Sequence, residues 1–225
     1  MLTAEKLHLL LTRPDGRSEA RRLHGVALAA AALADLRAAG VVDFEDARPA
    51  AEARIRVVAG GTAGHPVLDA LLPQADALAG TPVAAAVGKG RPRATKPVIA
   101  HLVETGVLRT RPAFLDTRHV PASPTTRAEL VTELTAVVRG EREGSEQDLL
   151  LLGLLHHLNV LRRLLPEAQG DQSRRDLTRR LEALSREDVL AQAVRRSVST
   201  TAATAAAAPL STERPVGPGV TVVRG

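Results

Sequence analysis

A mainly α-helical fold, a single bundle domain around a central apolar helix with a small β-hairpin and short strands, is predicted by three observations. Apolar residues make up 44% of the 225 positions, yet Phe44 and Phe114 are the only aromatic ones. The core is therefore built from Leu, Val and Ala, which suits close-packed helices better than a broad sheet. Residues 149–165 are apolar around nearly their whole circumference, as a helix at the centre of a bundle must be. Segments of helical period recur along the chain and end at Gly, Pro or turn motifs.

Taken in order, residues 2–12 form a short helical run closed by Arg13-Pro-Asp-Gly16, a strong turn signal. An Ala-rich helix over 26–39 turns Leu28, Leu33 and Leu36 inward, with Gly40 as its cap. Residues 41–45 and 54–58 read as two short strands that pair, with Pro49 in their connection. A helix over 65–79 follows, entered through His65 and Pro66. The Gly-, Pro- and Lys/Arg-rich stretch 80–96 reads as a loop around one apolar turn at 83–87. Residues 97–105 are helical and capped by Gly106, and 107–117 is a hairpin with Arg111-Pro-Ala113 near its tip.

An amphipathic helix over 124–139 carries Leu130, Leu134, Val137 and Val138. After the central segment 149–165, a helix spans 174–184. Ser185-Arg-Glu-Asp188 resembles a capping box that starts a last helix to about Val198. Residues 1–198 make the domain; 199–225 is a low-complexity tail whose Ala run extends the last helix somewhat and whose remainder is mobile.

There is no Cys, which excludes disulfides and thiolate metal sites. His156 and His157 are adjacent and point about 100° apart on a helix, so they cannot chelate one ion together. One of them lies against the core with a hydrogen bond. Histidines 8, 24, 65, 101 and 119 show no metal-ligand spacing, and neither metal nor cofactor is expected. Gly60-Gly-Thr-Ala-Gly64 reads as a helix-entry turn, because no Gly-Lys-Ser/Thr follows it. A nucleophile elbow and a distinctive acidic pair are both missing, so enzymatic activity is not expected.

The net charge is +5, and all but three of the 30 basic residues are Arg, the exceptions being Lys6, Lys89 and Lys96. The planar Arg fork suits phosphate, although Arg serves equally well as a plain surface cation. Arg174, Arg175, Arg179 and Arg180 make a ridge of the solvated, ion-paired kind, and nucleic-acid binding is not expected. At about 1.5 Å per residue the 149–165 segment falls short of the ~30 Å hydrocarbon layer, and Glu5, Lys6 and His8 interrupt any secretory signal. A soluble chain is expected.

Two segments carry a family resemblance: Gly61-Thr-Ala-Gly-His-Pro-Val-Leu-Asp-Ala-Leu-Leu72 and His101-Leu-Val-Glu-Thr-Gly-Val-Leu108. With Leu2-Thr-Ala-Glu-Lys-Leu-His-Leu-Leu-Leu11, Leu33-Ala-Asp-Leu-Arg-Ala-Ala-Gly-Val-Val42, Asp116-Thr-Arg-His-Val-Pro121 and the Leu-rich helix holding His156 and His157, they resemble the Golgi phosphoprotein 3 family in order and spacing. The resemblance implies a non-enzymatic, cytoplasmic, peripheral membrane adaptor that binds phosphatidylinositol 4-phosphate. It also implies self-association through the 107–117 hairpin, which is short here.

Counted without gaps from Gly40 and Gly106, the family's head-group residues, a Trp and three Arg, fall on Ala20, Ala29, Pro92 and Thr95; none is kept. Cations stand nearby instead. Arg21 and Arg22 flank the first position, and Lys89, Arg91, Arg93 and Lys96 surround the last two. These six are the candidate lipid-binding residues, provided that the two segments fold onto one surface facing an anionic phospholipid membrane. The alternatives are a protein–protein scaffold with protein clients that has lost the lipid pocket, and an enzyme whose site the sequence does not reveal.

Overall fold

The computed structural model describes residues 1–45, 52–58, 63–112, 117–170, 173–185 and 188–206. Helix α1 (Thr3–Leu11) buries Leu7, Leu9, Leu10 and Leu11. The Arg13–Gly16 turn reverses the chain, with Thr12 bridging to Ser18 and Gly16 at φ 77°. A 3₁₀ turn (Arg21–Leu23) then leads into α2 (His24–Ala38). Every residue from Ala27 to Leu33 is wholly buried. Their short side chains let neighbouring helices approach closely, since interaxial distance follows side-chain size. Gly40, at φ 71°, ends the helix as expected.

Strands β1 (Val42–Phe44) and β2 (Ile55–Val57) pair antiparallel, with Phe44 opposite Ile55. Arg37 places its guanidinium 5.3 Å from the Phe44 ring centroid. Pro49, Phe114 and most of the 60–64 turn lie outside the described residues. The helix read over 65–79 is two short ones, α3 (Pro66–Asp69) and α4 (Leu72–Asp76). Pro73 is the reason: it has no N–H to give Asp69, and its ring would meet that carbonyl.

Within the stretch read as a loop, residues 83–88 close into α5 (Val83–Gly88). Helix α6 (Thr95–Glu104) starts before Pro97, whose ring is tolerated in a first turn, and Gly106 caps it at φ 72°. The hairpin of β3 (Leu108–Pro112) and β4 (Thr117–Pro121) is longer than the reading over 107–117, with Leu108 opposite Pro121. Residues 117–121 therefore supply the second strand. Leu108 anchors it in the core, and Val120, on the opposite face, is buried against the turn at Gly16.

Helix α7 (Thr125–Arg139) ends on left-handed Gly140, at φ 77°. The segment 149–165 is not one helix: α8 (Glu146–His157) and α9 (Leu161–Leu164) are separated at Asn159, φ 57°. Asn is among the few residues other than Gly that tolerate this conformation. Ser145 and Asp148 make a reciprocal capping box at the start of α8, with Ser145 N–H donating to Asp148 Oδ2 at 3.0 Å and Asp148 N–H donating to Ser145 Oγ at 3.2 Å.

Helix α10 (Arg174–Ser185) contains Ser185 as its last residue, so the box read there is displaced. Asp188 takes the capping role for α11 (Val189–Ala206), accepting Ala191 N–H at 2.7 Å. Helix α11 packs along α5, α2 and α8, so α2 shares the centre of the bundle with α8.

Candidate functional site

Two of the predicted basic segments meet. Arg22 leaves the 3₁₀ turn just ahead of α2, and Gly25 and Val26 open that helix. Across from them, α5 closes with Gly90 N–H on Val87 O at 2.8 Å and Arg91 N–H on Ala86 O at 2.9 Å. Gly90 adopts φ 63°, and a Cβ there would stand 3.6 Å from the carbonyl carbon and oxygen of Gly25. This close approach seats the 88–90 turn on the start of α2. Gln74 Oε1 holds the next stretch by accepting Arg93 N–H at 2.8 Å.

Between the two lies an open groove of about 520 Å³, lined by Arg22, Lys89, Arg93 and Lys96 among small residues. Arg21 and Arg91 are exposed but outside this lining. Of the six candidate cations, four share the groove and two flank it. Among the described residues no carboxylate pairs with any of the four. Thr95 and Lys96 are the first residues of α6, which has no side-chain cap, so its positive dipole end adds to the four charges. Of the four positions that counting from Gly40 and Gly106 singled out, Thr95 lines the groove, whereas Ala20, Ala29 and Pro92 are buried.

Thr95 also borders a second cavity, of about 420 Å³, that holds a hydrogen-bonded chain. Ser18 Oγ lies 2.7 Å from His24 Nδ1, and His24 Nε2 lies 3.1 Å from His8 Nδ1. Burial, reinforced by His24 and His119, lowers His8 to about 3, and burial lowers His24 to about 4. Both rings are neutral at physiological pH. His8 Nε2 is buried without a hydrogen-bond partner among the described residues.

His156 and His157 behave otherwise than expected. His157 Nε2 is buried with no partner among the described residues, so the expected hydrogen bond is not made there, and burial lowers this ring to about 4. His156 borders a hollow of about 760 Å³ beside Arg162, Arg163 and Glu182.

One cluster escapes sequence reasoning altogether. Glu5, His65 and His101 come together, with Glu5 Oε1 2.5 Å from His101 Nδ1 although 96 positions separate them. No local spacing signals such a group. His65 does occupy the helix-entry position expected of it, accepting Val67 N–H on Nδ1 at 3.3 Å.

No curated protein matches the chain in sequence. The family model described as Golgi phosphoprotein 3 (GPP34) matches residues 3–201, a span that takes in both walls of the basic groove. With a helical core, two small antiparallel sheets among the described residues and this match over most of its length, the chain belongs to the Golgi phosphoprotein 3 (GPP34) family.

Proposed function

We propose that this chain is a peripheral membrane adaptor that binds anionic phosphorylated lipid head groups in the groove of Arg22, Lys89, Arg93 and Lys96. The observation that carries the reading is the convergence of four cations, none with a carboxylate partner among the described residues, from two distant segments. Each cation near an anionic membrane contributes about 1 kcal/mol, so four give on the order of 4 kcal/mol, roughly a 1000-fold gain in partitioning. Screening within a Debye length of ~10 Å at 0.1 M salt makes the interaction salt-sensitive. Arg22 and Arg93 can each grip a phosphate through two N–H groups, and the open groove admits a head group without chemistry. Among the described residues no helix is long and apolar enough to cross a membrane, which agrees with attachment at the surface.

A second reading, a scaffold that kept the fold and lost the lipid pocket, is favoured by the burial of Ala20, Ala29 and Pro92 where the family places head-group contacts. Vesicle co-sedimentation separates the two. Phosphatidylcholine vesicles containing phosphatidylinositol 4-phosphate are expected to retain the protein at low salt, and phosphatidylcholine alone is not. Arg22→Glu with Arg93→Glu is expected to weaken retention at least tenfold. Arg21→Glu with Arg91→Glu makes the same change in net charge outside the groove and is expected to cost much less. Equal losses from both pairs would mean diffuse attraction without a site. No retention of the unmodified protein would leave the scaffold.

A further inference from the structure

Glu5, His65 and His101 arise from three segments: the first turn of α1, the entry to α3 and the last turn of α6. One ligand-capable atom of each lies within 4.8 Å of the other two. Glu5 is only 2% exposed, and among the described residues no Lys or Arg pairs with it. Its Oε2 accepts Leu2 N–H at 2.8 Å and its Oε1 faces His101 Nδ1 at 2.5 Å. The His65 ring centroid lies 4.7 Å from that of His101. Two imidazoles thus converge on one buried carboxylate, a donor set that suits zinc-class ions and leaves one coordination position free.

We propose that Glu5, His65 and His101 form a binding site for one divalent transition-metal ion of the zinc class, with water in the remaining position. Donors around a tetrahedral ion at about 2.1 Å stand roughly 3.4 Å apart. The Glu5–His101 contact opens toward that value as the wider separations close, which needs side-chain rotation and no new fold.

The proton balance is internal. The hydrogen between His101 and Glu5 moves to His101 Nε2, and the ion takes its place beside Nδ1. Whichever nitrogen His65 offers, its 3.3 Å contact with Val67 N–H is given up, and this is the longest polar contact in the cluster. In return the ion ties α1 and the entry to α3 onto α6, which carries Lys96 of the basic groove at its start.

The test uses the untagged full-length chain, stripped with chelator and titrated with Zn²⁺ alone. One ion per chain and a Tm that climbs with zinc concentration are expected. Co²⁺ in its place is expected to give the visible absorption of a four-coordinate site. His65→Asn keeps an oxygen for Val67 N–H while removing the imidazole, and Glu5→Gln keeps an oxygen for Leu2 N–H while removing the charge. Both are expected to weaken zinc binding at least about 100-fold and to abolish the Co²⁺ bands, with unchanged far-ultraviolet circular dichroism. Should Glu5→Gln fail to fold, His65→Asn alone decides. Absence of stoichiometric zinc in the unmodified chain, or affinity in His65→Asn equal to it, overturns the proposal.

Discussion

Asp35, in the last turn of α2, caps the start of α1: its Oδ1 accepts Thr3 N–H and its Oδ2 accepts Ala4 N–H, each at 2.8 Å. The carboxylate thus stands between the negative end of one helix and the positive end of its antiparallel neighbour. Burial pushes its pKa up, against the two N–H bonds that favour the charged form.

Removing this cap leaves two buried N–H groups without acceptors. Asp35→Ala is expected to destabilise the fold by about 3 kcal/mol, and Asp35→Asn by about half as much, since one oxygen remains. Urea denaturation measures both, and a loss below about 0.5 kcal/mol for the alanine variant contradicts this account.

Gly25 and Gly90 face one another across the seam of the basic groove but predict opposite responses to alanine. Gly25 is helical and a Cβ there meets nothing within 4 Å, so Gly25→Ala is expected to stabilise by about 0.5–1 kcal/mol. Gly90 is left-handed at φ 63° and approaches Gly25, so Gly90→Ala is expected to cost about 1 kcal/mol or more. Thermal unfolding of the two variants should move Tm in opposite directions.

Acid should destabilise the protein through its buried histidines. His8 and His24 titrate at about 3 and about 4 when folded, against 6.5 ordinarily. Between those values the unfolded chain binds protons that the folded chain does not, so stability falls as pH drops below about 6.5 and the loss is complete near pH 3–4. By pH 4.5, about two pH units below the ordinary value, the loss from the pair is on the order of 5 kcal/mol, read as a lower urea midpoint. The midpoint should hardly change between pH 7.5 and 8.5. In a His24→Asn variant the acid dependence should be shallower.

Much of the element order is legible because punctuation and periodicity coincide. Gly40 and Gly106 end their helices in the left-handed conformation, as their positions in the apolar pattern require. The misreadings have local causes of other kinds. Pro73 splits a run whose hydrophobic stripe continues past it, and Asn159 interrupts a segment apolar enough to pass for one helix. Periodicity registers burial, and burial continues across such breaks.

The basic groove is legible only in part. Charge clustering marks 21–22 and 89–96, but whether a given side chain faces the groove depends on how Gly90 seats on Gly25. Arg22 and Arg93 face it; their sequence neighbours Arg21 and Arg91 lie outside its lining.

The order of residues by itself determined the helical class, the Leu–Val–Ala core and the family, because these rest on periodicity, side-chain volume and motif order, all local properties of the chain. Only tertiary packing decided which cations share a groove, which histidines lose their affinity for protons, and that Glu5 meets His65 and His101. Those properties depend on distances between segments remote in the chain, and on the water that packing removes from between them.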